Sequence, residues 1–185
     1  MNKKAAILMM EGYEESETIQ IVDLLRRAGV QADTFCFQDN LYVLSMQGMK
    51  IKADHHFSDE VKNYDILIIP GGRNSWQRLI DQTEVMETIQ WFNDNQKLIG
   101  AMCSGTKVLQ AAHVLKGKKC TGYTGYEKVL TDGIFVNDAA VYNQNIVTSQ
   151  GPATPYPFAF KIMEALEIDP EPYKEKLLYH FAGGK

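Results

Sequence analysis

The chain is poor in the residues that mark several large protein classes. It has only three cysteines and four histidines in 185 residues. An odd cysteine count without paired spacing argues against a disulfide framework and fits a reducing compartment. The histidines do not follow zinc-ligand spacing. His55 and His56 are adjacent and would face opposite ways in an extended segment. No metal and no cofactor are expected. Long apolar runs are lacking too. The first run, Ala5 to Met10, stops at Glu11, too short for a secretory leader and far too short for a membrane span. The formal net charge is only −4, and no basic stripe stands out. Nucleic-acid and membrane partners are therefore disfavoured, and a cytoplasmic location is expected.

What remains is the balance of an ordinary globular protein, 45% apolar and 23% charged, in a length that suits one domain over 1–185. Ala5 to Met10 predicts a strand buried on both faces. Ser16 to Ala28 predicts an amphipathic helix stopped by Gly29. Further strands are expected at Ala32 to Phe37, Tyr64 to Ile69, Leu98 to Ala101, Lys118 to Thr121, Ile134 to Tyr142 and Ile146 to Ser149. A hairpin is expected within Tyr42 to Ala53, around Gly48. Helices are expected at Thr83 to Asn95, with Thr83 as cap, and at Tyr156 to Leu166 and Pro172 to Phe181. Alternating apolar strands and amphipathic helices imply an α/β fold with a mostly parallel sheet covered on both faces. Ligands then bind beyond the carboxyl ends of the strands, where Glu11 to Glu17, Gly71 to Ser75 and Met102 to Gly105 lie.

The strand Leu98-Ile99-Gly100-Ala101 runs into Met102-Cys103-Ser104-Gly105-Thr106 and then a helical pattern, Lys107 to Ala112. A buried strand that stops at a nucleophile and turns at once into a helix is a nucleophile elbow, and the small neighbours suit its tight turn. A helix N-terminus beside the sulfur would favour the thiolate. Pro70-Gly71-Gly72, one strand away, can bring backbone N–H groups close to a developing oxyanion. Gly71 and Gly72 are thus candidate donors, with the Ser104 N–H as another.

In the acidic loop, Glu14 and Glu15 suit helix capping. Glu17 can instead face the elbow. Burial and like charge would raise its pKa, and the protonated acid would donate to the sulfur. Such a pair can move a proton during attack on a carbonyl. Cys36 and Cys120 lie in apolar strands and read as core. His113, ten residues past Cys103, lies roughly 15 Å along a helix and is out of reach as its base. His180 reads as surface.

These residues resemble the DJ-one/PfpI superfamily, a branch of the class I glutamine amidotransferase-like fold that includes an intracellular protease, the parkinsonism-associated deglycase and isocyanide hydratases. The marks are Gly12 to Thr18, Asp65 to Gly72, Ala101 to Gly105 and Thr148 to Thr154, and the resemblance spans nearly the whole chain. It implies a flavodoxin-like three-layer sandwich, Cys103 as the reactive cysteine in a strained elbow, and Glu17 as the acid bonding its sulfur. Gly72 and Ser104 would supply oxyanion donors, and Gly151 and Pro152 would line the pocket. A homodimer or larger homo-oligomer is implied as well.

Three departures narrow the implied activity. Peptidase-type members carry a histidine directly after the cysteine, where this chain has Ser104. Deglycase-like members carry one in the strand after the elbow helix, where Tyr123 stands. Amidotransferases need a downstream His-x-Glu, which is missing. Peptidase and amidotransferase activities are thus disfavoured. The expected function is a cysteine-dependent enzyme, a hydrolase or lyase, acting on small electrophilic carbon through Cys103 and Glu17. Glyoxalase-like, deglycase-like and hydratase-like chemistry all fit. The alternative is a stress-response protein whose Cys103 is oxidised to sulfinic acid. The loops Arg73 to Gln77 and Gly122 to Tyr126 would set pocket size.

Overall fold

The computed structural model describes residues 3–184. In chain order the elements are β1 (Lys4–Met9), α1 (Glu15–Arg27), β2 (Gln31–Cys36), β3 (Tyr42–Leu44), β4 (Lys50–Lys52), β5 (His55–His56), β6 (Ile66–Ile69), α2 (Ser75–Ile80) and α3 (Thr83–Asp94). Then follow β7 (Leu98–Met102), α4 (Thr106–Ala111), β8 (Lys119–Cys120), β9 (Ile134–Phe135), β10 (Ala140–Asn143), β11 (Ile146–Ser149), α5 (Pro155–Ala165) and α6 (Glu171–Lys176).

A seven-stranded sheet runs in the order β10-β11-β7-β6-β1-β2-β5. Only the β10–β11 pair is antiparallel. Strands β3 and β4 form the expected hairpin, paired from Tyr42 with Lys52 to Leu44 with Lys50.

Strand alternation sorts the apolar residues into two layers. Ala6, Leu8, Leu67, Ile69, Ile99 and Ala101 face one way and pack with α2, α3 and α4 through Leu79, Ile89, Phe92 and Leu109. Ala5, Ile7, Ile66 and Ile68 face the other way, against α1 and α5 through Leu24, Leu25, Phe158 and Met163. A sheet covered on both faces explains why these strands read as unbroken apolar runs. The result is the expected three-layer, flavodoxin-like sandwich. Because β1 pairs with β2 on one side and β6 on the other, the chain reverses direction across the sheet there, and the loops after β1 and β6 diverge into a crevice.

Several boundaries differ from expectation. The stretch Ile134 to Tyr142 is two strands, because the Asp138 side chain accepts from the Ala139 N–H at 2.7 Å and turns the chain between them. Thr83 is the first residue of α3 and not its cap, which is Gln82. The last helix ends at Lys176, and Leu178 takes a left-handed φ of 56°. The short α2 was not expected.

At the opposite end of β7, Lys118 is buried with no carboxylate partner among the described residues. Its Nζ donates to Asn93 Oδ1 at 2.6 Å and to Asn145 Oδ1 at 2.7 Å, tying the end of α3 to the β10–β11 turn. Burial holds its pKa below the usual ammonium value. Lys118→Ala strands two amide oxygens and is expected to lower the unfolding free energy by about 1–3 kcal/mol, read from a urea midpoint at unchanged m-value.

Candidate active site

Three loops at the carboxyl edge of the sheet converge on Cys103. Strand β7 ends at Met102 in extended backbone, Cys103 takes a φ of 53°, and a single 3-10 turn, Cys103–Gly105, leads into α4. A left-handed cysteine costs on the order of 1 kcal/mol or more, so its surroundings must hold it. Thr106 Oγ1 donates to the Cys103 carbonyl at 2.7 Å. Gly105 lies so close to the Ile69 and Pro70 carbonyls that no side chain fits there. Cys103 is left partly exposed.

The first loop supplies the acid. Glu14 caps α1, its carboxylate accepting from the Glu17 N–H at 2.6 Å and from Ser16 Oγ at 2.8 Å. Capping at Glu14 sets the first turn so that Glu17 points inward, with no exposed surface. Glu17 Oε2 accepts the Gly71 N–H at 2.7 Å. Its Oε1 is buried with no hydrogen-bond partner among the described residues, although the carboxyl and the Cys103 thiol are near enough to influence each other's ionisation. The two groups are close but unaligned in the free protein.

Gly71 explains how they meet. A Cβ there would lie 2.7 Å from both Cys103 Cβ and Glu17 Oε2, and 3.0 Å from Cys103 Sγ. Gly71→Ala is expected to push thiol and carboxyl apart and to cost about 1–3 kcal/mol by overpacking, read from the shift of a denaturant midpoint.

Burial raises the Glu17 pKa to about 7. The Gly71 hydrogen bond opposes this, the Glu14 charge adds to it, and the Cys103 contact opposes it. Burial also pushes Cys103 up to about 12, followed by the Glu17 charge, against the pull of the Ser104 N–H. The expectation of an acidic thiol drawn down by a helix N-terminus is therefore corrected. The helix that follows is six residues long and starts three residues beyond the sulfur, and desolvation outweighs it. Thiol and acid titrate as a pair, whose first proton leaves near neutrality and whose second stays far longer. The sulfur is a thiolate in the single-proton state only when Glu17 holds that proton.

The expected oxyanion donors are also rearranged. The Gly71 N–H is committed to Glu17 and is not a free donor. The Gly72 N–H donates to Ser104 Oγ at 2.9 Å, and that hydroxyl donates back to the Gly72 carbonyl at 3.0 Å. Gly72 becomes available only when the Ser104 side chain turns away. The Ser104 N–H pulls the Cys103 pKa down, against burial.

A cavity of about 330 Å³ opens over Cys103, with Gly72, Ser104, Tyr123, Tyr126 and Pro152 among its walls. Tyr123 and Pro152 line it. Gly151 is set back, packed against the Tyr123 ring. Tyr126 meets Tyr123 edge to face at 5.9 Å, and burial, then the Cys103 charge, pushes its pKa up to about 12, so it keeps its proton as a donor. Tyr126, Arg73, Met46 and Gln47 line the cavity without having been named as site residues. Tyr126 and Arg73 end loops already expected to shape the pocket, while the hairpin residues carry no local signal. A groove of about 370 Å³ beside α1 and β4 has no thiol in its lining, and its Arg26 and Asp54 pair with each other at 2.9 Å.

His113 is exposed and paired with Asp132 at 2.8 Å, while Cys36 and Cys120 are buried. Among the described residues no cluster of three or more metal-ligating side chains occurs, and no helix is long and apolar enough to cross a membrane.

A flavodoxin-like sheet with a cysteine held at positive φ and a buried glutamic acid beside it defines an α/β protein of the cysteine-elbow class. Residues 3–165 match the model of the DJ-1/PfpI family, and the chain belongs to that family. It is 32% identical over 169 residues to the glutathione-independent glyoxalase DJR-1.2 of Caenorhabditis elegans, covering 89% of this chain and 90% of that one. Similarity to protein DJ-1 homolog B of Arabidopsis thaliana is 29% identity over 83% of this chain, which spans only 36% of that longer protein. Among solved structures, Drosophila melanogaster DJ-1beta superposes with a TM-score of 0.90 at 28% identity, covering 96% of this chain and 98% of that one. Oxidized Toxoplasma gondii DJ-1 gives 0.89 at 28% identity, covering 95% and 98%.

Proposed function

We propose that this protein adds water across a small 2-oxoaldehyde, giving the 2-hydroxy acid, through a covalent Cys103 adduct. The observation that carries the reading is the juxtaposition of a strained, partly exposed Cys103 with a fully buried Glu17 whose pKa is raised to about 7. A group that gains and loses a proton near neutrality suits general acid–base work.

Cys103 Sγ attacks the aldehyde carbon. The thiol proton passes to Glu17 and on to the carbonyl oxygen, leaving a neutral hemithioacetal and a Glu17 carboxylate. That carboxylate removes the C1 proton to give an enediolate, Glu17 returns the proton at C2, and the C1 hydroxyl proton passes to the C2 oxygen, giving the thioester. Water then cleaves the thioester, releasing the 2-hydroxy acid and restoring the thiol. Nothing is oxidised or reduced overall. Tyr126 and Gly72, once released by Ser104, are the donors available to the substrate oxygens. The similarity to a named glyoxalase supports this reading. Lactate formation from methylglyoxal in the absence of glutathione tests it, and a wild-type rate equal to background refutes it.

A second reading rests on the same geometry. The Ser104 N–H at the sulfur and the unpartnered Glu17 Oε1 suit a sulfinate as well. Intact mass after mild peroxide would show two oxygens on Cys103 if this reading holds. The homodimer is part of the proposal too, and light scattering at twice the chain mass supports it.

A further inference from the structure

The lining of the Cys103 cavity includes a cation that forms no ion pair among the described residues. Arg73 lines the cavity and is exposed. Its backbone is fixed, since its N–H donates to the Gly12 carbonyl at 2.8 Å. Its guanidinium makes no ion pair among the described residues. Glu14, in the same wall, is already engaged as the cap of α1.

A second cation stands behind the wall. Lys107 Nζ lies 4.8 Å from the centre of the Tyr126 ring and 4.2 Å from that of Trp76. It too forms no ion pair among the described residues. Glu17 is held by the Gly71 N–H, and Glu14 by the Glu17 N–H and Ser16 Oγ, whereas Arg73 and Lys107 form no ion pair among the described residues. The same lining includes the largely apolar side chains of Tyr123, Tyr126, Pro152 and Met46, with Gln47.

We infer that Arg73 is a specificity residue that selects 2-oxoaldehydes carrying a carboxylate at the far end of a short methylene chain. The inference rests on the proposed 2-oxoaldehyde reaction for the identity of the reacting end. The aldehyde sits at Cys103, the methylenes lie along the apolar wall, and the carboxylate meets the guanidinium, whose fork matches it with two parallel hydrogen bonds. The potential of Lys107 adds to the attraction without contact. The reaction remains a hydration: 4,5-dioxopentanoate plus water gives 2-hydroxyglutarate.

The test compares kcat/KM for 4,5-dioxopentanoate with that for uncharged methylglyoxal, in wild type, Arg73→Gln and Arg73→Lys. The wild type is expected to prefer the carboxylated substrate by at least about tenfold, mostly through KM, as charge-assisted hydrogen bonds allow. Arg73→Gln is expected to erase the preference, and Arg73→Lys to restore part of it. An unchanged preference in Arg73→Gln overturns the inference. Titration calorimetry with 4-oxopentanoate, which has the tail but no aldehyde, separates it from the reaction. Binding weakened tenfold or more in Arg73→Gln, with no comparable binding of 2-pentanone, supports a carboxylate site even if neither aldehyde turns over. Equal binding of 4-oxopentanoate to wild type and Arg73→Gln, or none to either, overturns it.

Discussion

Cys103→Ser is expected to bring lactate formation from methylglyoxal down to the uncatalysed rate, a loss of at least about 10³-fold in kcat/KM. Removing a covalent nucleophile takes away the whole adduct pathway and not one increment of it. A serine hydroxyl fits the same space and can still meet the Ser104 N–H and Glu17, so the elbow is preserved. Its proton is far too tightly held for a carboxylate of pKa about 7 to remove it at a useful rate. The variant should unfold within about 1 kcal/mol of wild type, because the strain at φ 53° belongs to the backbone and its neighbours and not to the sulfur. Circular dichroism and a urea midpoint check this, so that lost activity is not mistaken for lost structure. Residual lactate formation at a tenth of the wild-type rate would show that the reaction does not pass through Cys103.

The elbow and the acid were legible in sequence because each is set by local chemistry. Small residues around Cys103 and the unbroken apolar run before it allow little but a strand ending in a tight turn. Glu17 follows from helix phase once Glu14 is taken as the cap. The sheet was legible for the same reason, since runs such as Ile66–Ile69 can be buried only between two layers of helix. What sequence could not show is which donors are already spent. The Gly71 N–H goes to Glu17 and the Gly72 N–H to Ser104 Oγ, and both pairings join residues more than thirty positions apart. The ionisation of the thiol was misread for a related reason. A helix N-terminus is visible in sequence, whereas the desolvation that overrides it depends on packing from three loops. Met46 and Gln47 enter the cavity from a hairpin whose placement over the sheet no local pattern specifies.

Glu17→Gln separates the acid's contribution to catalysis from its contribution to stability. Folded Glu17 titrates at about 7, against an ordinary value of 4.5. Below that ordinary value the folded and unfolded chains both hold the proton, and Glu17 has no effect on stability. Between 4.5 and about 7 the folded chain holds a proton that the unfolded chain has released, so stability falls as pH rises. The accumulated loss above neutrality is on the order of 3 kcal/mol. Glutamine keeps the amide oxygen that accepts from the Gly71 N–H but cannot ionise. The variant's urea midpoint should therefore stay flat between about pH 5 and pH 8, where the wild type's declines, and Glu17→Gln should be the more stable protein at pH 8. Catalysis should move the other way. With no base to take the C1 proton, kcat for methylglyoxal should fall by about 10²–10⁴-fold, and the rise of kcat/KM through pH 7 should vanish. Parallel pH profiles of stability in the two proteins would mean that Glu17 does not hold its proton in the folded state, and the proton-transfer role would fall with that result. Opposite shifts in stability and turnover are the signature expected of a carboxyl kept buried, at a cost to the fold, for the proton it can move.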